Sequence, residues 1–278
     1  MLSLSDARAL LARQLQPLPA QRVALAATRG RILRAPAVAP EDLPAFDRAA
    51  MDGYAIAGDT ATPRFHIVGE IQPGKPTALS LQPGECARIF TGAPIPAGTT
   101  QVLMQEHARV EGDFMLPQQR DAAIHIRRRG EDARRGDVLL PAGTRLGAGE
   151  LAVLASLGLT QPEVSPAIRV AHFATGNELV APDQTPAPGQ LRDSNSTLVA
   201  AFVAQHGGEL VRQERCPDDF DQLLAQITPA AAQCDLLLLS GGASVGNYDF
   251  GRRLLTALGF QIHFDKLNLR PGKPLIFA

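Results

Sequence analysis

The spacing of apolar residues divides the chain into regions with different predicted secondary structure. Four leucines near the start fall close to helical spacing, namely Leu4, Leu10, Leu11 and Leu15. Ser3 and Ser5 are candidate N-caps, and the prolines at 17 and 19 end the pattern. The chain is therefore predicted to open with an amphipathic helix.

A different pattern follows from about residue 35 to residue 143. Short apolar runs such as FHIVGEI, CARIF, QVLMQE, FMLP and DVLLP are separated by glycine and proline turns, which is typical of a small all-β domain. The segment GAGELAVLASLG then predicts a helix that ends at Gly158. We expect a domain boundary near residues 162–166.

Beyond that boundary, predicted strands alternate with predicted helices. The strands are AIRVAHFAT, GELVRQE, CDLLLLS and FQIHF, and the helices are STLVAAFVAQHGG, a stretch from Asp218, and YDFGRRLLTALG. Such alternation predicts a mostly parallel, three-layer α/β domain. The run LLLL has no polar alternation and predicts a central strand covered on both faces. We expect residues 1–166 to form an N-terminal region with an inserted β domain, and residues 167–278 to form the α/β domain.

Composition excludes several classes of partner. With 27 basic and 28 acidic residues the formal net charge is -1. The chain as a whole therefore has no net electrostatic attraction to nucleic acid or to an anionic membrane. No stretch approaches the roughly 18 apolar residues of a membrane span. Three widely separated cysteines argue against a disulfide framework and favour a reducing compartment. We therefore expect a cytoplasmic protein in which any anion site is local.

The clearest local motif is the loop SGGASVG between a predicted strand and a predicted helix. Its glycines and serines would let backbone N–H groups and hydroxyls approach a phosphate near a helix N-terminus. The candidate binding residues are Ser240, Gly241, Gly242, Ser244 and Gly246. The alternative is a simple strand-to-helix turn. The loop matches neither the Walker A nor the dinucleotide-binding pattern.

Two further segments carry charges that suit an anion or a metal. Asp249 follows the loop and could hold a divalent cation, although an acid at a helix start also stabilises the helix dipole. Near the end of the chain, Arg270 and Lys273 flank Pro271 and Gly272, so both cations could converge on one oxyanion. Ordinary solvated charge is the alternative for this second pair.

The predicted β domain contains three segments of uncertain role. FDRAAMDGYA and RIFTGAPIPAG contain the candidate polar contacts Asp52 and Thr91, although an aspartate often caps its own turn. HIRRRGED places three arginines before two acids, which the residues alone favour as a solvated strand end.

Taken in order, the motifs AMDGYA, TGAPIPAG, RRRGED, FATGNEL, RDSN, SGGASVG with YDF, and RPGKP resemble the molybdopterin molybdenumtransferase (MoeA) family, which is related to the E domain of gephyrin. The resemblance implies insertion of molybdate into adenylated molybdopterin with release of AMP, aided by a divalent cation, usually Mg²⁺. It also implies a homodimer, with a molybdopterin adenylyltransferase acting upstream.

The resemblance also assigns residues. The SGGASVG loop would line the pterin-phosphate pocket, while Arg270 and Lys273 would hold molybdate or phosphate oxygens. Asp249 and Glu178 would act near the metal. Glu178, Asp193 and Asp218 occupy acidic positions at neighbouring strand ends, and Asp52, Thr91 and Asp132 would reach the pocket from the partner subunit.

Three departures from the family pattern bear on activity. Asn177 stands where aspartate is usual, and Arg270 stands where lysine is commoner. The sequence also stops after LIFA, before the family's glycine-proline loop, closing helices and small C-terminal β domain, so we expect an incomplete α/β domain. Two rival functions remain: a truncated module that binds molybdopterin or dimerises without catalysis, and an adenylyltransferase-like or nucleotide-hydrolysing enzyme.

Overall fold

The computed structural model describes residues 1–59, 61–119, 122–241 and 248–278, with the backbone alone for Tyr248 and Asp249. The chain folds into two compact units. The first, which we call the α/β unit, contains residues 1–35, 143–151 and 160–278. The second, the β unit, contains residues 36–142 and 152–159. The β unit is therefore an insertion within the chain of the α/β unit.

Five α-helices lie in the described residues. They are α1 (Leu4–Gln14), α2 (Ala148–Ser156), α3 (Ser194–Gln205), α4 (Phe220–Ala231) and α5 (Tyr248–Ala257). Ser3 caps α1 as expected, because its hydroxyl accepts a hydrogen bond from the Asp6 backbone N–H. None of the helices in the described ranges is long and apolar enough to cross a membrane.

Most of the strands are short. In chain order they are β1 (Gln21–Arg22), β2 (Ala37–Val38), β3 (Arg48–Ala49), β4 (Gly53–Ile56), β5 (Phe65–Ile71), β6 (Glu85–Ile89), β7 (Gln101–Met104), β8 (Ala108–Glu111), β9 (Phe114–Pro117), β10 (Ile126–Arg127), β11 (Val138–Leu140), β12 (Glu163–Val164), β13 (Arg169–Thr175), β14 (Leu179–Val180), β15 (Leu191–Arg192), β16 (Glu209–Cys216), β17 (Leu236–Gly241), β18 (Phe264–Lys266) and β19 (Pro274–Phe277).

The β unit is built on a six-stranded sheet in the order β7-β4-β6-β5-β9-β8. Alternate residues of its strands face two separate apolar clusters. Ala55 and Ile89 belong to one cluster, whereas Ile56 and Leu103 belong to the other. This period of two is the pattern that a sheet buried on both faces requires. The expected small all-β domain is thus present.

The α/β unit contains a three-stranded parallel sheet in the order β16-β13-β17. On one face, Ala171 and Phe173 pack with apolar residues of α4 and α5. On the other face, α3 lies against β13 and β16. Helices on both faces of a parallel sheet give the predicted three-layer α/β architecture.

The run LLLL was wrongly predicted to form the central strand. It lies in β17 at the edge of the sheet, and Leu236 is 43% exposed. The central strand is β13, in which residues 170–175 are all buried. Leu237 and Leu239 pack towards α4 and α5, but α3 lies against β13 and β16 instead of β17. A run of leucines therefore indicated an apolar strand without indicating how many neighbours it has.

The last two strands form an antiparallel hairpin instead of extending the parallel sheet. The strand predicted at FQIHF begins later, at Phe264. Helix α1 covers this hairpin, because Ala7 packs in one cluster with Phe264 and Leu267. Leu2 adds backbone hydrogen bonds, donating to the Lys266 carbonyl at 3.4 Å and accepting from the Asn268 N–H at 2.7 Å.

Candidate functional site

The carboxyl ends of the three parallel strands lie side by side. Thr175 at the end of β13 pairs with Cys216 of β16 and with Gly241 of β17. The residues that follow these strands therefore meet at one edge of the sheet, where open α/β sheets bind their ligands. Three of the predicted acidic and loop positions, Glu178, Asp218 and Ser240, lie at or just beyond this edge.

Both the backbone conformation and a close neighbouring carbonyl require glycine at position 241. Its φ is +97°, and a Cβ built on it would lie 1.9 Å from the Thr175 carbonyl oxygen. A side chain at this position would therefore collide with the strand pairing itself. The absence of a side chain lets β17 stay paired with β13 up to the start of the SGGASVG loop.

The loops after β13 and β16 are joined by Asn177. Its side-chain carbonyl accepts a hydrogen bond from the Asp218 backbone N–H at 3.2 Å. Glu178 turns back over Gly176, since a Cβ built there would lie 2.7 Å from Glu178 Oε2. The carboxylates of Glu178 and Asp218 are both exposed. Asn177 thus links the two loops by accepting this hydrogen bond. An aspartate could accept the same bond, but it would add a third negative charge beside Glu178 and Asp218.

Asp193 is placed differently from the other predicted acids. It is 3% exposed and forms the N-cap of α3, where its carboxylate accepts from the Ser196 backbone N–H at 3.0 Å and the Ser196 hydroxyl at 2.5 Å. Both oxygens are therefore engaged within the helix start. Its predicted contact with the cofactor stays a prediction. A cleft of about 620 Å³ beside α3 and β16 is lined by Asp193, Ser196 and Gln213.

The two predicted cations lie in the loop of the β18–β19 hairpin. Arg270 and Lys273 are exposed, and in the described part of the chain neither side chain forms a hydrogen bond or ion pair. The base of the loop is closed by a hydrogen bond from the Leu267 N–H to the Lys273 carbonyl at 2.9 Å. Pro271 and Gly272 lie between the cations, and Gly272 has a φ of +105°.

Helix α5 connects this hairpin to the loop that follows β17. Arg252 forms an ion pair with Asp265 of β18 at 3.2 Å. A Cβ built on Gly251 would lie 3.2 Å from Ile276 Cδ1 of β19, so the helix and the hairpin are in close contact. The segment that begins α5 and the hairpin that carries the cations therefore belong to one packed arrangement.

Some predicted residues fall outside the described part of the structure. Gly242, Ser244 and Gly246 lie there, together with the side chain of Asp249. Within the described residues, no group of three or more histidine, cysteine, aspartate or glutamate side chains is close enough to hold a metal ion.

In the β unit, two of the predicted contact residues bind each other. The carboxylate of Asp52 accepts from both the backbone N–H and the hydroxyl of Thr91, each at 2.7 Å. Both hydrogen bonds lower the pKa of Asp52, and the bond from the Thr91 backbone N–H has the larger effect. Gly92 and Ala93 exchange backbone hydrogen bonds with Ala49. The segments FDRAAMDGYA and RIFTGAPIPAG thus form one structural element.

The three arginines of RRRGED are each paired with a carboxylate. Arg127 contacts Glu131 and Asp132, whereas Arg128 pairs with Asp47 at 2.6 Å. Arg129 pairs with Asp42 at 2.8 Å. The interpretation of this segment as a solvated strand end is therefore incomplete, because its arginines form ion pairs with Asp42 and Asp47. Asp132, a predicted pocket residue, is engaged with Arg127.

Comparisons with known proteins agree with this architecture. Residues 2–158 match the family model described as the MoeA N-terminal region, domains I and II. The chain belongs to the MoeA family. Residues 171–278 match a second model, described as a probable molybdopterin binding domain. Solved MoeA proteins from Pyrococcus horikoshii superpose with TM-scores of 0.80 and 0.84 at 28% and 27% identity, and this chain covers 71% and 72% of them.

Curated relatives are similar over nearly the whole chain. A molybdopterin molybdenumtransferase of Nostoc is 40% identical over 265 residues, which is 92% of this chain and 61% of the relative. The corresponding protein of Haemophilus influenzae is 33% identical and aligns with 100% of this chain and 70% of its own length. This MoeA-family chain spans 60% to 70% of the length of six such relatives, these two among them.

Sequence reasoning missed the most deeply buried polar side chain of the candidate site. His172 is 0% exposed in the central strand, and its Nε2 lies 2.8 Å from the hydroxyl oxygen of Ser240. The signal in the sequence was one histidine within the apolar run RVAHFAT. A buried histidine needs hydrogen-bond partners, so that position indicates polar side chains on the neighbouring strands.

Proposed function

We propose that this chain takes part in molybdenum cofactor biosynthesis by binding adenylated molybdopterin at the carboxyl edge of the β16-β13-β17 sheet and inserting molybdate with release of AMP. The observation that carries the proposal is the meeting of Glu178, Asp218 and Ser240 at one sheet edge in a chain of the MoeA family. The names of the curated relatives support the same reaction.

The task of the site would be to hold two anions close together. Ser240, Gly241 and the rest of the SGGASVG loop would bind the pterin phosphate through hydroxyl and backbone donors. Arg270 and Lys273 would neutralise phosphate or molybdate oxygens, and their exposed, unpaired side chains in the described structure are suited to that role. Catalysis would then rest on positioning and charge neutralisation, without a covalent nucleophile.

The proposal includes a divalent cation such as Mg²⁺, and the exposed Glu178 carboxylate supports it. The Glu178 carboxylate is exposed, and within the described ranges it has no hydrogen-bond or ion-pair partner. Carboxylate oxygen is the kind of ligand that Mg²⁺ prefers, usually with water and substrate phosphate completing the shell. Glu178 and Asp249 would hold the ion, and when bound it would neutralise phosphate charge.

The remaining predicted residues would act in an assembly of two copies. The family resemblance supports a homodimer in which Asp52, Thr91 and Asp132 of one copy approach the molybdopterin site of the other. A molybdopterin adenylyltransferase would supply the adenylated substrate. The three free cysteines support a reducing, cytoplasmic setting for this reaction.

The test follows AMP release and reconstitution of an apo-molybdoenzyme after the protein is mixed with adenylated molybdopterin, Mg²⁺ and molybdate. Glu178→Gln and Lys273→Ala are expected to lower AMP release at least tenfold. Glu209→Gln serves as the matched control, because Glu209 is exposed at the opposite end of the same sheet, at the start of β16. The control should leave the rate unchanged.

The outcomes separate the proposed reaction from its rivals. Release and reconstitution that depend on Glu178 and Lys273 would support insertion of molybdate. Tight binding of the pterin without AMP release would contradict insertion and indicate a binding module. Formation of adenylated pterin from ATP and molybdopterin would instead indicate an adenylyltransferase.

A further inference from the structure

A chain of partly buried hydrogen bonds leads from helix α3 across the sheet to Ser240. His172, on β13, lies directly opposite Gln213 of β16 in the strand register. Its Nε2 reaches Ser240 Oγ on β17 at 2.8 Å, and its Nδ1 lies 3.0 Å from the amide nitrogen of Gln213. Ser240 pairs with Ala174, two residues beyond His172, so the contact is a diagonal one on a single face of the sheet.

The orientation of the Gln213 amide is fixed by its other partner. Gln213 Nε2 lies 2.9 Å from the backbone carbonyl oxygen of Ser196. A carbonyl oxygen can only accept, so the group facing it must be the NH₂ of the amide and not its oxygen. The same NH₂ therefore donates its second hydrogen to His172 Nδ1.

This arrangement sets the tautomer of His172. Because Nδ1 accepts a hydrogen bond, it carries no proton, and the single proton of the neutral ring lies on Nε2. Burial lowers the pKa of His172, which favours the neutral ring, while the negative charge of Asp193 opposes that shift. The Nε2–H consequently donates to the hydroxyl oxygen of Ser240.

The consequence for Ser240 is a fixed hydrogen-bonding role. A serine hydroxyl has one hydrogen to donate and two lone pairs that accept. With one lone pair occupied by His172, the hydroxyl is held in place and its own hydrogen remains available for an acceptor. Ser240 stands at the end of β17 beside Gly241, where the sheet edge opens towards the SGGASVG loop.

We infer that His172 is a positioning residue that holds the Ser240 hydroxyl as a hydrogen-bond donor to a phosphate oxygen of the bound ligand. Gln213 and Ser196 support it by fixing the tautomer. The identity of the ligand rests on the proposed function, but the role of His172 requires only an anionic oxygen at the sheet edge. The histidine itself is buried and does not touch the ligand.

The test compares three variants by binding and by unfolding in urea. His172→Leu removes the donor and is expected to weaken binding of adenylated molybdopterin about three- to tenfold. Ser240→Ala should weaken it to a similar extent. In the Ser240→Ala background, His172→Leu should have no further effect on binding, because the hydroxyl that it positions is gone.

His172→Gln is the matched control. Its side-chain amide can place an N–H near the position of the imidazole Nε2, so it is expected to restore binding towards the wild-type value. A purely structural role for His172 would lower the urea midpoint of His172→Leu while leaving its binding unchanged. A long-range ¹H–¹⁵N spectrum of the ring should show the proton on Nε2, and a proton on Nδ1 would overturn the inference.

A second probe separates this inference from the proposed function. Inorganic phosphate should bind the wild-type protein more weakly than the pterin and should lose further affinity in His172→Leu. If phosphate binding responds in this way while adenylated molybdopterin does not bind, the proposed reaction fails and the role of His172 stands. If the pterin binds equally well to both proteins, the role of His172 fails alone. Binding of neither ligand would overturn both.

Discussion

At the scale of single residues, Gly241 shows how strand pairing restricts the start of the candidate phosphate loop. An alanine there would place its Cβ 1.9 Å from the Thr175 carbonyl oxygen and would also adopt a φ of +97°. We expect Gly241→Ala to lower the free energy of unfolding by roughly 2 to 4 kcal/mol, as strain and overpacking add. Urea unfolding followed by circular dichroism measures the change.

Gly259→Ala is the control for that substitution. Gly259 also has a positive φ, +83°, but a Cβ built on it would meet nothing within 4 Å. Only the backbone strain remains, so we expect a loss of about 1 kcal/mol. Equal losses for the two variants would show that the approach of Thr175 does not restrict position 241.

The same residue marks the limit of what a local motif can predict. The glycines of SGGASVG indicated a tight loop after a strand, which is where β17 ends. They did not indicate that Gly241 is required by its neighbour β13. His172 was harder still, because its partners Gln213 and Ser240 lie 41 and 68 residues away along the chain. Contacts of that kind depend on strand order, which periodicity does not contain.

At the scale of elements, the contact between α1 and the β18–β19 hairpin supports the loop that carries Arg270 and Lys273. Ala7 is 2% exposed in that contact, whereas Ala12 lies on the exposed side of the same helix. We expect Ala7→Asp to lower the free energy of unfolding by roughly 2 to 4 kcal/mol, because it buries a carboxylate among apolar side chains. Thermal unfolding provides the measurement.

Ala12→Asp is the control, because it makes the same substitution on the exposed face of α1. It should reduce stability by about 1 kcal/mol through lower helix propensity and an acid near the helix C-terminus. If Ala12→Asp were the more damaging of the two, helix electrostatics would outweigh packing, and the contact between α1 and the hairpin would contribute little.

The elements themselves were predicted with unequal success, and the reason is physical. Each of the five α-helices overlaps a segment that was predicted to be helical. For α1 and α2 the prediction came from helical spacing and capping, which are local signals. Strand order failed for β17, since an edge strand and a central strand can have the same apolar composition when one face is covered. The hairpin at β18 was missed for a similar reason: a strand sequence does not specify whether its neighbour is parallel or antiparallel.

At the scale of the whole molecule, ion pairs join segments of the β unit that lie far apart in sequence. Asp42 accepts from the Arg135 backbone N–H and from Arg129, and these contacts lower its pKa. The Arg129 backbone N–H and the Arg128 side chain similarly lower the pKa of Asp47, against the opposing effect of burial. Both carboxylates therefore favour the folded state when they are ionised.

This predicts a pH dependence with a definite sign. A carboxyl group with a lowered folded pKa stabilises the fold above its unfolded pKa of about 3.9, and the contribution is lost as the pH falls through the folded pKa. Asp42→Asn should thus lower the melting temperature modestly at pH 7, and its difference from wild type should shrink below about pH 4. Calorimetry across this range measures the difference.

Glu41→Gln gives the comparison for that experiment. Glu41 is the exposed neighbour of Asp42 and loses the same charge on substitution. Its melting temperature should follow wild type at every pH. A constant difference between Asp42→Asn and wild type down to pH 3 would mean that charge plays no part in the contribution of Asp42.

Much of the molecular architecture could be anticipated because the ordered motifs resemble one family. The β unit and the three-layer α/β unit both follow from that resemblance, and period-two and period-3.6 patterns agree with them. The mutual engagement of Asp52 with Thr91 and of the arginines with Asp42 and Asp47 could not be predicted, because each pair joins residues that are more than 35 positions apart.

The division of the chain also fixes the order in which its parts can be completed on the ribosome. All residues of the β unit are made before residue 160, whereas α1 is made first and its covering strands only after residue 263. At ordinary rates of synthesis, the interval between the synthesis of α1 and that of the β18–β19 hairpin is on the order of tens of seconds. The β unit can fold early in translation, while the apolar face of α1 stays without its native partner, open to chaperones, until the hairpin emerges.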